Sequence, residues 1–193
     1  MPFSAHPSAA GDALSAVHPG DAPAAPFSPA FYAPYAAAAQ VALSALCRAR
    51  RSLVEETGED VRALTYRLKT PDSIRGKLLS RGLPVTDDAA RAALHDIAGL
   101  RAVLSSVPQV YRFAALLRDA PSLCILSERD YIAAPKRSGY RSLHIVAQVA
   151  VPGAAQGGAE RLVPVEIQLR TAPMDIWASI EHQMVYKPLT PPL

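Results

Sequence analysis

A chain of 193 residues, half of them apolar and 19% charged, suits one globular domain with one active site and leaves little room for a second catalytic unit. A formal net charge of +3 and a pI near 9.0 lean towards an anionic ligand without requiring a nucleic acid. The lone cysteines Cys47 and Cys124 exclude a C-x-x-C motif and a disulfide framework, and with no apolar run near the ~20 residues of a membrane helix and no signal-peptide start, a cytoplasmic protein with buried free thiols is expected.

Residues 1–35 are rich in Ala, Pro, Ser and Gly. Pro2, Pro7, Pro19, Pro23, Pro26, Pro29 and Pro34 interrupt any helix, so a disordered tail is expected there and a folded domain over 36–193. Phe27, Phe31, Tyr32 and Tyr35 are candidates for a docking element within the tail, although scattered aromatics in a tail more often do nothing specific. The pattern then predicts a helix from Ala36 to about Thr57, with Leu43, Leu46, Cys47, Leu53 and Val54 on its apolar side, Arg50 interrupting that side and Gly58 closing the end. Alternation over Val61 to Lys69 predicts a strand stopped by Pro71. Thr70 caps the next helix, which has Pro71 in its first turn and lasts to about Arg81.

A helix from Thr86 to about His95 leads into a strand over Ile97 to Leu104. Val110, Phe113, Ala114 and Leu117 then carry the spacing of a helix packed on a sheet. A short strand near Leu123 to Leu126 precedes a polar loop, Ser127 to Tyr140. Arg141 to Val151 and Leu162 to Arg170 read as strands of a long hairpin, and a helix from about Pro173 to Tyr186 closes the chain. Strands interspersed with helices, plus one hairpin, give an α/β (α+β) class: a mixed, mostly antiparallel sheet of about five strands flanked by helices.

Three stretches carry candidate chemistry. In R-L-K-T-P-D-S-I-R-G-K, residues 67–77, strand alternation points Arg67 and Lys69 the same way, and Ser73 and Lys77 share a helix face. Beside a helix N-terminus these groups would seat a polyphosphate; a solvated basic edge would look the same. In D-I-A-G-L-R, residues 96–101, Asp96 ends a helix and Arg101 lies along a strand, an arrangement that a simple turn Asp would also give. Glu166, Gln168 and Arg170 share one face of V-E-I-Q-L-R-T, residues 165–171, as any one-sided exposed strand would place them. Asp96 and Glu166 brought together would repel unless a cation lay between them, and magnesium, which prefers oxygen ligands and arrives with phosphates, is the natural one. Alternatively Glu166 takes a proton from an attacking hydroxyl.

The third stretch is D-Y-I-A-A-P-K-R-S-G-Y-R-S-L-H, residues 130–144. Its Pro, Gly and Ser mark a loop, Lys136, Arg137 and Arg141 make it basic, and Tyr140 offers a flat face to a base; Tyr140 as core and His144 as a hydrogen-bonded strand residue are the alternatives. Neither G-x-x-x-x-G-K-[ST] nor G-x-G-x-x-G is present, which excludes the common nucleotide loops.

In this order, and with W-A-S-I-E-H added, these blocks resemble the synthetase domain of RelA/SpoT proteins over about residues 60–187, and the chain is most similar to the small alarmone synthetases. The resemblance implies a nucleotidyltransferase-like fold and a magnesium-dependent transfer of pyrophosphate from ATP to the 3′-hydroxyl of GTP or GDP. It implies that Arg67, Lys69, Ser73, Lys77 and Arg101 hold ATP and that Asp96 and Glu166 bind magnesium, with Glu166 activating the acceptor. Lys136 and His144 would steady the acceptor's phosphates, Tyr140 would stack on guanine, Gln168 and Arg170 would line the acceptor side, and Trp177, Glu181 and His182 would support the ATP pocket.

Ala134 and Ser138 stand where many family members carry Asn, and Ser127 to Asp130 match neither charge pattern of GDP or GTP preference. Relatives form tetramers through further C-terminal helix; here the chain ends soon after Lys187, and the oligomer is left open. Two alternatives stand beside this reading: a toxic relative that pyrophosphorylates the 3′ end of tRNA, and a nucleotide- or RNA-binding regulator without turnover. No membrane partner is expected.

Overall fold

The computed structural model describes residues 26–153 and 159–186, with side chains as far as Glu181. In chain order the elements are α1 Pro29–Thr57, β1 Ala63–Leu68, α2 Pro71–Leu79, α3 Asp87–Ala93 and β2 Ala98–Leu104, then α4 Val107–Arg118, β3 Cys124–Asp130, β4 Leu143–Val151, β5 Arg161–Thr171 and α5 Ala172–Tyr186. The strands form one sheet of five in the order β1-β2-β5-β4-β3, antiparallel except for the central β2–β5 pair. This is the mixed, mostly antiparallel α+β architecture expected, including the β4–β5 hairpin.

Period-two side-chain alternation gives the sheet two unlike faces. Leu64, Ala102, Leu169 and Leu143 form one cross-strand row, and Leu100, Ile167 and Ile145 another. They lie under α1 and α4, whose Leu46, Leu53, Phe113 and Leu117 are fully buried in the same core. Burying each such side chain stabilises the fold by roughly 1.5–3 kcal/mol. The opposite face carries Thr65, Arg67, Arg101, Glu166, Gln168 and Arg170, so the covered face supplies stability and leaves the other free for polar work.

The first helix departs from expectation in three ways. It begins at Pro29, seven residues before Ala36, and the part of the expected tail from residue 1 to 25 lies outside the described residues. Pro29 sits in the first turn, where its missing N–H costs nothing, and the interior Pro34 is tolerated because Phe31 and Tyr35 are buried beside it. Phe27, Phe31, Tyr32 and Tyr35 form a chain of ring contacts, Arg91 lies over the Phe31 ring, and the Phe27 amide donates to Asp87 at 2.8 Å. The propensity signal of the prolines was overridden by aromatic burial.

The inward stripe is also different. It is built from Ala38, Ala42, Ala45, Leu46, Ala49 and Leu53, so α1 packs closely on the sheet, while Arg50 points outward to Asp60 and interrupts nothing. Lastly, α1 is long and apolar enough to cross a membrane by length and composition, which the sequence reading missed. Its buried residues are spent on the sheet, as in a core helix.

Two smaller corrections concern β3 and the thiols. Ser127 to Asp130 continue the strand instead of opening a loop, because each pairs with β4, after a register shift beyond Ile125. Cys124 is exposed and Cys47 half-buried, so neither is the buried thiol expected.

Candidate active site

The polar face holds a cleft of about 280 Å³ lined by Thr65, Tyr66, Arg67, Asp96, Gly99, Leu100, Arg101, Glu166 and Gln168. Sheet register explains why distant residues meet. Arg67, Gly99 and Glu166 lie in one cross-strand row, and Thr65, Arg101, Gln168, His144 and Arg129 in the next. Gly99 contributes no side chain, so the floor between Arg67 and Glu166 stays open.

One end of the cleft is cationic. Thr70 caps α2 by accepting from the Ser73 amide, which aims the helix across the end of β1, and the Lys69 amide donates to Ile97 O at 2.8 Å to hold the turn beside Asp96. Lys77 Nζ lies 2.7 Å and Lys69 Nζ 3.1 Å from the same Asp96 Oδ2. Asp96 Oδ1 is buried and has no hydrogen-bond partner among the described residues. Burial acts to raise Asp96, but Lys77 and Lys69 outweigh it and hold the carboxyl below its ordinary value. Ser73 stands on the exposed first turn of α2, outside the cleft lining.

A closed ring of hydrogen bonds forms the other end. Gln168 Nε2 donates to Glu166 Oε2 at 2.8 Å, and Arg170 Nη2 donates to Gln168 Oε1 and to Tyr140 Oη, both at 2.7 Å. Tyr140 Oη is 2.7 Å from His144 Nε2, and His144 Nδ1 is 3.1 Å from Glu166 Oε1. One assignment satisfies every member of the ring: the phenol oxygen accepts from Arg170 and donates its own proton to Nε2, and Nδ1 donates to Glu166. Burial raises Glu166, yet the His144 contact and the Gln168 amide lower it by more; even with the Asp96 charge nearby, the carboxyl is held below its usual range. The two carboxylates therefore share one electrostatic neighbourhood.

Asp175, in the first turn of α5, joins the two ends. Its Oδ1 accepts from Arg101 Nη1 at 3.1 Å and from Arg170 Nη1 at 3.0 Å.

Two expected placements change. Tyr140 does not offer an open face: it is only 7% exposed, its hydroxyl belongs to the ring, and Lys136 Nζ and Arg170 Cζ lie 4.7 Å and 5.2 Å from its ring centroid. Lys136 also lies 4.8 Å from the ring of Tyr131, which packs edge-on against Tyr140 and His144. Trp177 supports the 136–140 loop and not the cationic end, its Nε1 donating to Ser138 O at 3.2 Å. The side chain of His182 lies outside the described residues.

Arg67, Lys69, Lys77, Asp96, Arg101, Glu166, Gln168, Arg170, His144, Tyr140 and Lys136 are thus gathered around one cleft and its rim. Gly99, Tyr131 and Asp175 were missed. A glycine inside a strand pattern was a usable sign of close approach, whereas an acidic residue in a helix's first turn ordinarily signals only the helix dipole.

Fold and cleft define an α+β domain in which paired carboxylates meet a cationic rim, an arrangement suited to an anionic ligand with a polyphosphate chain. Residues 66–190 match the family model described as the region found in RelA / SpoT proteins, and the chain belongs to that family. Two Bacillus subtilis (strain 168) relatives are similar: GTP pyrophosphokinase YwaC, 38% identical over 121 residues (63% of this chain, 56% of the relative), and GTP pyrophosphokinase YjbM, 36% identical over 133 residues (69% and 60%). The chain thus spans little more than half the length of these relatives. The structure of small alarmone synthetase 1 from Bacillus subtilis bound to its product pppGpp superposes with a TM-score of 0.71 at 33% identity, over 81% of this chain and 78% of that one.

Proposed function

We propose that the chain is a GTP/GDP pyrophosphokinase that transfers the β,γ-diphosphate of ATP to the ribose 3′-hydroxyl of GTP or GDP, releasing AMP and making (p)ppGpp. The observation that carries this reading is the meeting of Asp96 and Glu166 on one cleft, cationic at one end and backed at the other by the hydrogen-bonded His144 and Tyr140. The names and the bound product of the similar proteins support it.

In this reading Arg67, Lys69, Lys77 and Arg101 neutralise and align the ATP phosphates, with Ser73 at the start of α2 as a further hydroxyl. Glu166, kept ionised, accepts the proton of the 3′-hydroxyl as the O3′–Pβ bond forms and the bond from Pβ to the bridging oxygen of AMP breaks. His144 and Gln168 each hold one Glu166 oxygen and so aim the base. Lys136, His144, Gln168 and Arg170 receive the acceptor, and guanine stacks on Tyr140 where Lys136 now lies, as Lys136 turns to the phosphates. Little covalent work falls to protein groups; alignment and charge cancellation supply most of the rate.

Magnesium fits the carboxylates. The unpartnered Asp96 Oδ1 is a hard oxygen donor, Glu166 supplies another, and no third His, Cys, Asp or Glu joins them among the described residues, leaving phosphates and water to complete the shell. When bound, the ion would offset phosphate charge during transfer.

The test is incubation with ATP, magnesium and GDP or GTP. AMP and a 3′-pyrophosphorylated guanine nucleotide are expected, with Glu166→Gln slower by roughly 10²–10⁴-fold. Folded protein that forms neither product overturns the proposal, as does label from ATP that accumulates on added tRNA in place of GTP.

A further inference from the structure

The geometry points to Trp177 as a positioning residue for the loop that receives the acceptor, an inference that rests on the function proposed above. Trp177 is the chain's one tryptophan, and it contributes little to the core: it is 45% exposed on α5, whereas its neighbour Ala178 is buried. What it touches instead is the tip of the loop between β3 and β4. The indole N–H donates to Ser138 O at 3.2 Å, and a Cβ added to Gly139 would lie 3.6–3.7 Å from indole atoms Nε1, Cε2 and Cζ2, so the ring lies against the glycine backbone.

That tip is a tight turn. Gly139 has φ +81°, a left-handed conformation that L side chains rarely adopt, and its amide donates to Lys136 O at 2.8 Å while the Lys136 amide donates to Tyr140 O at 3.2 Å. The two residues that leave the turn are Lys136, whose ammonium lies over the Tyr131 and Tyr140 rings, and Tyr140, whose hydroxyl closes the ring through His144 to Glu166. Fixing Ser138 and Gly139 therefore fixes where the acceptor's cation and aromatic platform stand.

The support for Trp177 is itself anchored. α5 follows β5 directly, and Asp175, two residues before Trp177, is gripped by Arg101 and Arg170. Trp177 makes no contact with Lys69, Lys77 or Asp96 among the hydrogen bonds and ion pairs of the described residues, so its effect falls on the acceptor and not on ATP.

The experiment uses the full chain with ATP and GDP. Trp177→Phe keeps a ring and removes the N–H; it is expected to raise KM for GDP roughly three- to tenfold, the span for losing one partly exposed hydrogen bond, with kcat and KM for ATP within about twofold. In the wild type, GDP alone shifts the Trp177 emission after absorbance correction, and ATP alone leaves it in place. Should Trp177→Phe lose its fold by circular dichroism, Gly139→Ala strains the turn while keeping the indole and carries the same expectation for KM. An unchanged KM for GDP, an equal rise in KM for ATP, or emission that follows ATP and not GDP overturns the inference while wild-type turnover leaves the pyrophosphokinase reading intact. A wild type that makes no product from any guanine acceptor overturns both.

Discussion

Gly99 is the register partner of Glu166 across the parallel β2–β5 pair, and the side chain it lacks is what opens the cleft floor between Glu166 and Arg67. A Cβ placed there would meet nothing closer than Arg67 O at 3.9 Å, so the backbone tolerates a larger residue while the cleft does not. Gly99→Val is expected to melt within a few degrees of the wild type, yet lose roughly 10²-fold in kcat/KM for synthesis, because it displaces whatever lies against Glu166. Product formation and a thermal melt on the same sample check this; full activity would mean that the reacting groups do not use this floor.

The His144–Glu166 contact predicts a pH effect with a definite sign. Burial raises Glu166, and the His144 hydrogen bond is the largest influence that brings it down. With Glu166 as the proposed base, loss of activity on the acid side of the wild-type profile is therefore expected to begin below the ordinary carboxylate value. In His144→Ala, only the Gln168 amide is left to oppose burial and the Asp96 charge, and the acid limb of kcat moves to higher pH. Nucleotide phosphates titrate alike in both proteins, so the difference between profiles carries the result. The linked stability effect follows: a depressed carboxyl stabilises the fold above its unfolded pKa, and that contribution fades as pH falls through the folded value. Urea titrations should show a smaller acid-side decline for His144→Ala.

The sequence was most informative where one residue type serves one period. Alternation in Val165 to Arg170 assigned Glu166 and Gln168 to one face because a strand admits no other reading, and Thr70-Pro71 announced α2 because cap and first-turn chemistry are local. It was least informative where tertiary contact outweighs local preference. Pro29 and Pro34 argued for a tail, but burial of Phe31 and Tyr35 is a long-range effect that no window of the sequence displays. Tyr140 is similar: its residue type permits both a platform and a core role, and only the closure of the Arg170–Tyr140–His144 ring shows that its hydroxyl is already engaged.

Asp175 yields a prediction about coupling between the ends of the cleft. One of its oxygens takes hydrogen bonds from both Arg101 and Arg170, and Arg170 is nearly fully buried. Asp175→Ala would leave two guanidinium groups facing each other without their shared anion. Because Arg170 keeps Tyr140 and Gln168 and Asp175 is partly exposed, the loss of stability should be about 2 kcal/mol, below the range for a fully buried pair. Activity should fall for both substrates at once. Asp175→Asn keeps an acceptor oxygen and should recover part of each. Urea midpoints and the two KM values measured on both variants decide it; a change confined to one substrate would rule out the bridge.

The N-terminal turn of α1 offers the sharpest contrast between a tail and a structural element. Phe31 is 1% exposed, packs edge-on against Phe27 and Tyr32, and carries Arg91 of α3 over its ring. One residue on, Tyr32 Oη donates to Lys69 O at 2.7 Å, which ties this turn to the backbone that presents Lys69 to Asp96. Phe31→Ala should cost about 3–4 kcal/mol, as for other large-to-small changes at buried aromatics, and should lower the urea midpoint accordingly. Tyr32→Phe removes one hydrogen bond and should cost only about 1 kcal/mol, with KM for ATP rising before KM for GDP because the lost contact lies at the cationic end. If both variants unfold like the wild type and bind ATP equally well, residues 27–35 do not brace the site and the packing described for them has no energetic weight.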